Sequence, residues 1–216
     1  MSLTLACTAQ SPLLRRVATL LAGFCLVGGG VALTIKAELG VAPYDVLSTG
    51  IAETFGIEIG IAAMILPLVF VGLGWALGGK VGPGTVLAVL LVGPILGVVL
   101  HALPDVETLW ARVPMFAAGF VMVACGITAV IIAEVGPGPA EVLMLAIHDR
   151  GVELALTRTG IEVASVAVGW ALGGQVGVGT AFFAVAIGPT LRQLLQWAGY
   201  RSARPDEAAL AAEPGA

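Results

Sequence analysis

Acidic residues that recur at matched places inside apolar sequence are the side chains of this chain that could carry chemistry. Asp45 and Glu141 each stand two residues after the proline of a Gly-x-x-Pro segment and directly before Val-Leu. Glu38 and Glu134 each stand seven residues before these acids. Broken helices at matching places in two halves of a chain mark the substrate site of many transporters. The pattern predicts that these carboxylates line a cavity and bind a cation, a proton or an amine.

A plainer interpretation applies to Asp45 and Glu141. Proline suits the first position of a helix, and an acid in the first turn is stabilised by the helix dipole by about 0.3–1 kcal/mol. The two acids would then cap short helices and need no ligand. Glu38 and Glu134 end the preceding helices, where an acid opposes the dipole, so solvation at the membrane interface is the alternative there.

Arg158 and Glu162 form a further charged pair, four residues apart in an apolar segment. An ion pair within one helix would lower the cost of inserting both charges into a membrane. The matched positions in the first half of the chain hold Ala63 and Pro67. This asymmetry favours a specific role, such as a gate or a polar contact with a short helix.

The composition of the chain is that of an integral membrane protein. Its 216 residues are 58% hydrophobic and 11% charged, whereas a soluble domain has roughly 45–50% apolar and 25% charged residues. Ten Lys/Arg against fourteen Asp/Glu give no basic surface for nucleic acid. The composition excludes a soluble enzyme, a disordered chain and a nucleic-acid binder, and it makes the lipid bilayer the main partner.

The sequence contains no catalytic or metal-ligating pattern. The two histidines, His101 and His148, lie far from each other and from the three cysteines, so neither a metal site nor a cofactor is predicted. The segment from Gly74 to Lys80 resembles a phosphate-binding loop, but Val81 stands where Ser or Thr would hold magnesium. We therefore expect no enzymatic activity.

Apolar runs long enough to cross a bilayer define the predicted spans. About 20 residues are needed at 1.5 Å each. This length predicts six full spans, of which the first four cover residues 17–35, 59–79, 81–100 and 113–133. The fifth begins near Leu154, and a turn at residues 173–177 separates it from the sixth. Two short segments, 42–57 and 137–151, begin at Pro43 and Pro139 and are predicted to be short or re-entrant helices.

The chain is an internal repeat. Residues 13–47 match 109–143 at 15 of 35 positions, and residues 74–94 match 169–189 at 12 of 21. We expect an all-α transmembrane bundle of two repeats, 13–104 and 109–200, each with three full-length helices and one short helix. An N-terminal tail is predicted at residues 1–12, and a disordered C-terminal tail at residues 201–216. Breaks in the helices would act as hinges; the four prolines concerned are Pro43, Pro139, Pro94 and Pro189.

The sequence alone leaves two possible numbers of membrane crossings. Six crossings make the repeats inverted, and eight make them parallel. The distribution of Lys and Arg fits both arrangements equally and places the N- and C-termini in the cytoplasm in each. The matching Arg16 and Arg112 favour first helices that start on the same side, and therefore eight crossings.

Several of these motifs resemble the YczE-like integral membrane proteins of the YczE/YyaS/YitT set. The resemblance rests on ELGVAPYDVLSTG at 38–50, GPGPAEVLM at 136–144 and RTGIEVASVAVGWALGGQVGVGT at 158–180. The chain departs from the family pattern at Tyr44, where Trp is usual, and at 140–142, where Arg-Asp-Gly is usual. The resemblance implies a multi-pass plasma-membrane protein and supplies no substrate.

The expected function is to move or bind a small solute in a cavity between the repeats, which would expose it alternately to each side of the cell membrane. The alternative is a membrane factor without transport that scaffolds, assembles or regulates a protein partner. Both leave room for a homo-oligomer.

Overall fold

A computed structural model describes residues 12–199, and within this range every regular element is a helix. The predicted tails lie outside the described residues, except for Pro12, which begins the first helix. The eight helices confirm the all-α prediction. They are α1 (Pro12–Ala37), α2 (Pro43–Phe55), α3 (Ile59–Ala76), α4 (Pro83–Ala102), α5 (Leu109–Ala133), α6 (Pro139–His148), α7 (Leu154–Ala171) and α8 (Val178–Trp197).

Five of these helices, α1, α3, α4, α5 and α8, are long and apolar enough to cross a membrane. The fifth predicted span corresponds to α7, which begins at Leu154 as predicted and has 18 residues. Arg158 and Glu162 lower its mean hydropathy below that of the other five. Pro94 and Pro189 lie inside α4 and α8, which continue as helices through them.

The helices α2 and α6 are short because proline begins each and the chain turns soon afterwards. They have 13 and 10 residues, which corresponds to about 20 and 15 Å. Pro43 and Pro139 occupy the first turn of each helix, as predicted. Gly56, with φ of 62°, ends α2 in the left-handed conformation that glycine tolerates.

Antiparallel packing of α1 against α5 forms the centre of the bundle. Gly30 lies against Gly119 and Gly23 against Gly126, so residue numbers rise along one helix as they fall along the other. A Cβ atom added to Gly30 would lie 2.7 Å from the carbonyl oxygen of Gly119. Small residues therefore allow the two backbones to touch.

The expectation that both first helices start on the same side is wrong. Because α1 and α5 run in opposite directions, Arg16 at the start of α1 lies at the opposite end of the pair from Arg112 at the start of α5. The two arginines match because each binds the glutamate at the end of the other helix. Their similarity reflects reciprocal pairing and gives no information about a shared side.

The starts and ends of the helices define two faces of the bundle. On one face, named here the Glu38 face, α1 and α4 end, and α3 and α5 begin. Lys36 at the end of α1 binds Asp105 after α4, and Gly60 of α3 lies against Gly93 and Gly97 of α4. The opposite side, where α5 ends, is the Glu134 face. Because α1 ends and α3 begins on the Glu38 face, the segment with α2 leaves this face and returns to it without crossing the bundle.

The starts of α4 and α8 are held by the connections that precede α6 and α2. Gly84 of α4 donates its N–H to the carbonyl of Val135 at 3.3 Å, and Gly179 of α8 donates to Leu39 at 2.7 Å. The short helices in turn pack against the ends of α7 and α3: Thr54 donates to the carbonyl of Leu172 at 2.9 Å, and Arg150 donates to that of Leu77. Both short helices are therefore fixed at their ends.

Candidate functional site

The starts of α2 and α6 bring together two of the predicted acids. Asp45 and Glu141 each lie in the first turn of their helix. The hydroxyl of Tyr44 is within electrostatic range of both carboxylates. The first turns of α2 and α6 therefore lie near the same tyrosine, and Tyr44 shares an apolar cluster with Ala140 of α6. We name this region, with Tyr44, Asp45, Ser48 and Glu141, the central site.

Tyr44 is held by apolar packing around its ring. The ring meets Phe70 of α3 edge-on, with centroids 5.3 Å apart. Ala140 and Ile161 pack in the same cluster, so α2, α3, α6 and α7 all contribute to it. Among the described residues nothing accepts or donates a hydrogen bond at the buried Tyr44 hydroxyl. Such an atom costs about 1–3 kcal/mol when it is left without a partner.

The two carboxylates of the central site are not equivalent. Glu141 is exposed, and its Oε2 atom lies over Gly138, the residue that precedes α6, only 2.2 Å from where a Cβ atom would stand there. A glutamate at this position reaches back to the start of its own helix, which agrees with the capping interpretation. Asp45 is half-buried, so it is the stronger candidate for a ligand-binding carboxylate.

Polar atoms continue along α2 from the central site. Ser48, one turn after Tyr44 and on the same face, is 2% exposed, and its Oγ has no hydrogen-bond partner in the described part of the chain. Thr49 accepts a hydrogen bond from the backbone N–H of Gln175 at 3.0 Å. The Gln175 side chain donates to the carbonyl of Ile35 at 3.1 Å, which leaves its buried Oε1 without a partner.

Sequence reasoning missed Ser48 and Gln175. The turn from 74 to 85 is repeated almost unchanged from 169 to 180, but Gln175 stands where the first copy has Lys80. The lysine is exposed, whereas the glutamine crosses to α1 and α2. The replacement of Lys80 by Gln175, in two turns that are otherwise nearly identical, was the signal that could have identified Gln175.

A cavity of about 1000 Å³ opens at the Glu38 face, beside α2. We name it the vestibule. Thr49 and Gln175 lie in its lining, whereas Ser48 and the rest of the central site lie beyond it. Its charged lining residues are Lys36, Glu38, Glu53, Glu58, His101 and Asp105.

Most of the charges in the vestibule are paired. Arg112 binds Glu38 at 2.6 Å, and His101 lies 4.0 Å from Glu58. Lys36 binds Asp105, and this hydrogen bond and its charge lower the pKa of the exposed Asp105 carboxyl below its ordinary value of 3.8. Among the described residues, no cation pairs with Glu53. The vestibule therefore has an excess of negative charge.

Glu38 and Glu134 do not share a cavity. Glu38 lines the vestibule, whereas Glu134 binds Arg16 at 3.3 Å on the opposite face. The antiparallel packing of α1 and α5 separates them by the length of a long helix. Arg158 and Glu162 form the predicted pair, with Nε and Oε1 3.1 Å apart near the start of α7. Of the six predicted charged residues, Arg158 and Glu162 bind each other, and Asp45 and Glu141 lie near the same tyrosine.

Comparison with known proteins identifies the family of the chain. Within the described range, no group of three His, Cys, Asp or Glu side chains could hold a metal ion. No solved structure matches the chain. The profile of a family of unknown function, DUF6198, matches residues 14–196. The chain belongs to this family.

Relatives of this DUF6198 protein include a membrane protein. The chain is 29% identical over 201 residues to "Uncharacterized membrane protein YczE" of Bacillus subtilis, covering 89% of this chain and 93% of the relative. It is 28% identical over 182 residues to an "Uncharacterized protein" of Haemophilus influenzae, covering 84% of each. The resemblance to YczE-like proteins is thereby confirmed, and the chain is a membrane protein.

Proposed function

We propose that this protein moves a small solute across the cell membrane through the central site. The observation that carries the proposal is that Asp45 and Glu141 lie in the first turns of α2 and α6, whose starts share one cluster through Tyr44 and Ala140. Two short helices begin there, and short or broken helices that begin near the middle of a bundle form the substrate sites of many transporters. The proposal involves binding and release only, with no chemical step.

The proposal includes two repeats of opposite direction, α1–α4 and α5–α8. Two reciprocal sets of contacts support this arrangement. Arg16 binds Glu134 where Arg112 binds Glu38, and Gly84 donates to Val135 where Gly179 donates to Leu39. Repeats related in this way can exchange conformations, so that a site between them opens first to one side and then to the other.

The direction of opening follows from the charges. Six crossings place most of the Lys and Arg, and both termini, on the Glu134 face, which we assign to the cytoplasm. The vestibule would then open to the outside and lead along α2 to the central site. In the second conformation, a matching opening beside α6 would face the cytoplasm, with the proline and glycine breaks as hinges.

We expect that neutralising Asp45 and Glu141 together will abolish transport. The double variant Asp45→Asn/Glu141→Gln keeps the size of both side chains and removes the charges that would hold the solute. Intact cells that produce the native protein or the variant are compared by untargeted mass spectrometry of their small molecules. A set of molecules that accumulates or is depleted with the native protein should return to the level of cells without it.

The control is Glu107→Gln, an exposed acid in the connection before α5. It should transport as the native protein does. Membrane insertion and thermal unfolding of each variant in detergent show whether loss of transport has another cause. Native transport by a folded double variant would contradict the proposal and favour a membrane factor that acts through a protein partner.

A further inference from the structure

We infer that the solute is a small organic cation that carries N–H groups, such as a protonated amine, and that it enters by the vestibule and passes along α2. This inference rests on the proposed function, because it assigns a substrate class to the same site. Three independent features of the described residues support it: the charge of the vestibule, the unsatisfied oxygen atoms along α2, and the size of the opening.

The charge of the vestibule favours a cation. Its three ion pairs neutralise Glu38, Glu58 and Asp105, at least while His101 is protonated. Glu53 has no cationic partner in the described range and stands in the lining beside Gly173. A cleft with excess charge of one sign raises the local concentration of the oppositely charged solute. The Asp45 carboxyl group lies farther along α2, at the central site.

The oxygen atoms along α2 favour a solute with N–H donors. The Oε1 atom of Gln175 can only accept a hydrogen bond, and its amide nitrogen is already bound to Ile35. The hydroxyls of Ser48 and Tyr44 can accept as well as donate, and both are buried without a partner in the described chain. In a conformation that opens this path, an ammonium group can donate to each in turn, whereas a quaternary ammonium ion has no N–H group to donate.

The size and ligands of the opening argue against a metal ion. Calcium takes six to eight oxygen ligands, and no described group of three or more acidic, His or Cys side chains could supply them. A cavity of about 1000 Å³ is instead at the upper end of the range of small-molecule sites. An organic cation fits both the volume and the sparse charges.

The experiment uses the purified full-length protein in detergent and measures thermal unfolding. The probes are the chlorides of primary alkylammonium ions, from methylammonium to hexylammonium. The control salts are tetramethylammonium chloride, sodium acetate and sodium chloride at the same ionic strength. We expect at least one primary ammonium ion to raise Tm in a saturable way and the other salts to leave it unchanged. Equal effects of tetramethylammonium, or no effect of any primary ammonium ion, would overturn the inference.

Variants connect the effect to this path. A hydrogen bond to a charged group is worth about 1.5–3 kcal/mol, so Gln175→Leu and Asp45→Asn should each weaken apparent affinity about tenfold or more. Glu53→Gln, at an exposed position that tolerates change, should weaken it by about threefold. The matched control is Gln196→Leu, an exposed glutamine near the end of α8, which should leave the affinity unchanged. Unchanged affinity in folded Asp45→Asn and Glu53→Gln would overturn the inference.

Binding in detergent and transport in vesicles separate this inference from the proposed function. Saturable binding of a primary ammonium ion without its uptake into vesicles would support the binding site and contradict transport. Transport of an anion by vesicles, with no binding of any ammonium ion, would support transport and overturn the assigned substrate class.

Discussion

Glu38 and Glu134 adopt the left-handed backbone conformation, with φ of 52° and 51°, where their long helices end. Residues other than glycine seldom do so, and the conformation costs roughly 1–2 kcal/mol. Each side chain is thereby directed to an arginine at the start of the opposite helix. An acid that opposes its own helix dipole is thus explained by a partner in the other half of the chain.

This geometry predicts different effects of two substitutions at Glu134. Glu134→Gly removes an exposed ion pair worth at most about 1 kcal/mol but relieves a similar strain, so unfolding in detergent should change little. Glu134→Val loses the pair and places a β-branched side chain at positive φ, which should lower the free energy of unfolding by about 1–2 kcal/mol. The control is Glu153→Val, where φ is −59° and the effect should be small. Equal losses for Gly and Val at Glu134 would argue against strain.

At the scale of the helices, the close approach of α1 and α5 depends on glycines in register. A Cβ on Gly119 would lie 2.7 Å from the carbonyl oxygen of Gly30 and 2.8 Å from the side chain of Thr34. Arginine–glutamate pairs join the two helices at both ends as well. Packing of α1 and α5 therefore sets the spacing of the whole bundle.

We expect Gly30→Ala and Gly119→Ala to destabilise the protein by about 1–3 kcal/mol each, the usual cost of overpacking. The matched control is Gly72→Ala in α3, where an added Cβ meets nothing within 4 Å. It should be neutral or stabilising by up to about 1 kcal/mol, because alanine is the better helix former. Thermal unfolding in one detergent measures all three. A control as unstable as the other two variants would show that glycine is needed for another reason.

For the whole molecule, the direction of α5 decides the membrane topology. Lys and Arg residues outside the predicted spans fit six or eight crossings equally well, because exchanging Lys80 for Arg112 leaves their ratio unchanged. The antiparallel pair of α1 and α5 favours six crossings, since it places Arg112, at the start of α5, on the face opposite the start of α1. It also places the vestibule on one face only.

Labelling from each side of the membrane tests this topology. Lys80→Cys and Glu107→Cys are introduced separately into a chain whose three native cysteines are replaced. An impermeant thiol reagent added to intact cells should label residue 107 and not residue 80, and lysed cells should show both. Labelling of residue 80 in intact cells, without residue 107, would contradict six crossings with cytoplasmic termini. Labelling of both from one side would contradict a crossing of the membrane by α4.

The sequence by itself determined which segments are helices and where several of them begin, although α1 and α5 begin at Pro12 and Leu109, four or five residues before the predicted spans. Apolarity is summed along a local stretch, and proline and glycine act within one turn, so the starts at Pro43, Pro139 and Leu154 agree with the prediction. The repeat likewise indicated that Asp45 and Glu141 would correspond. No distant contact was needed for these predictions.

Only the tertiary structure decided which helices meet and in which direction. Arg16 and Glu134 are 118 residues apart, and no local rule relates their positions. The same holds for Gln175, which joins α1 to α2, and for Glu53 in the vestibule. The direction of a helix and the closing of a cavity depend on contacts between distant segments, and local hydropathy carries no information about these contacts.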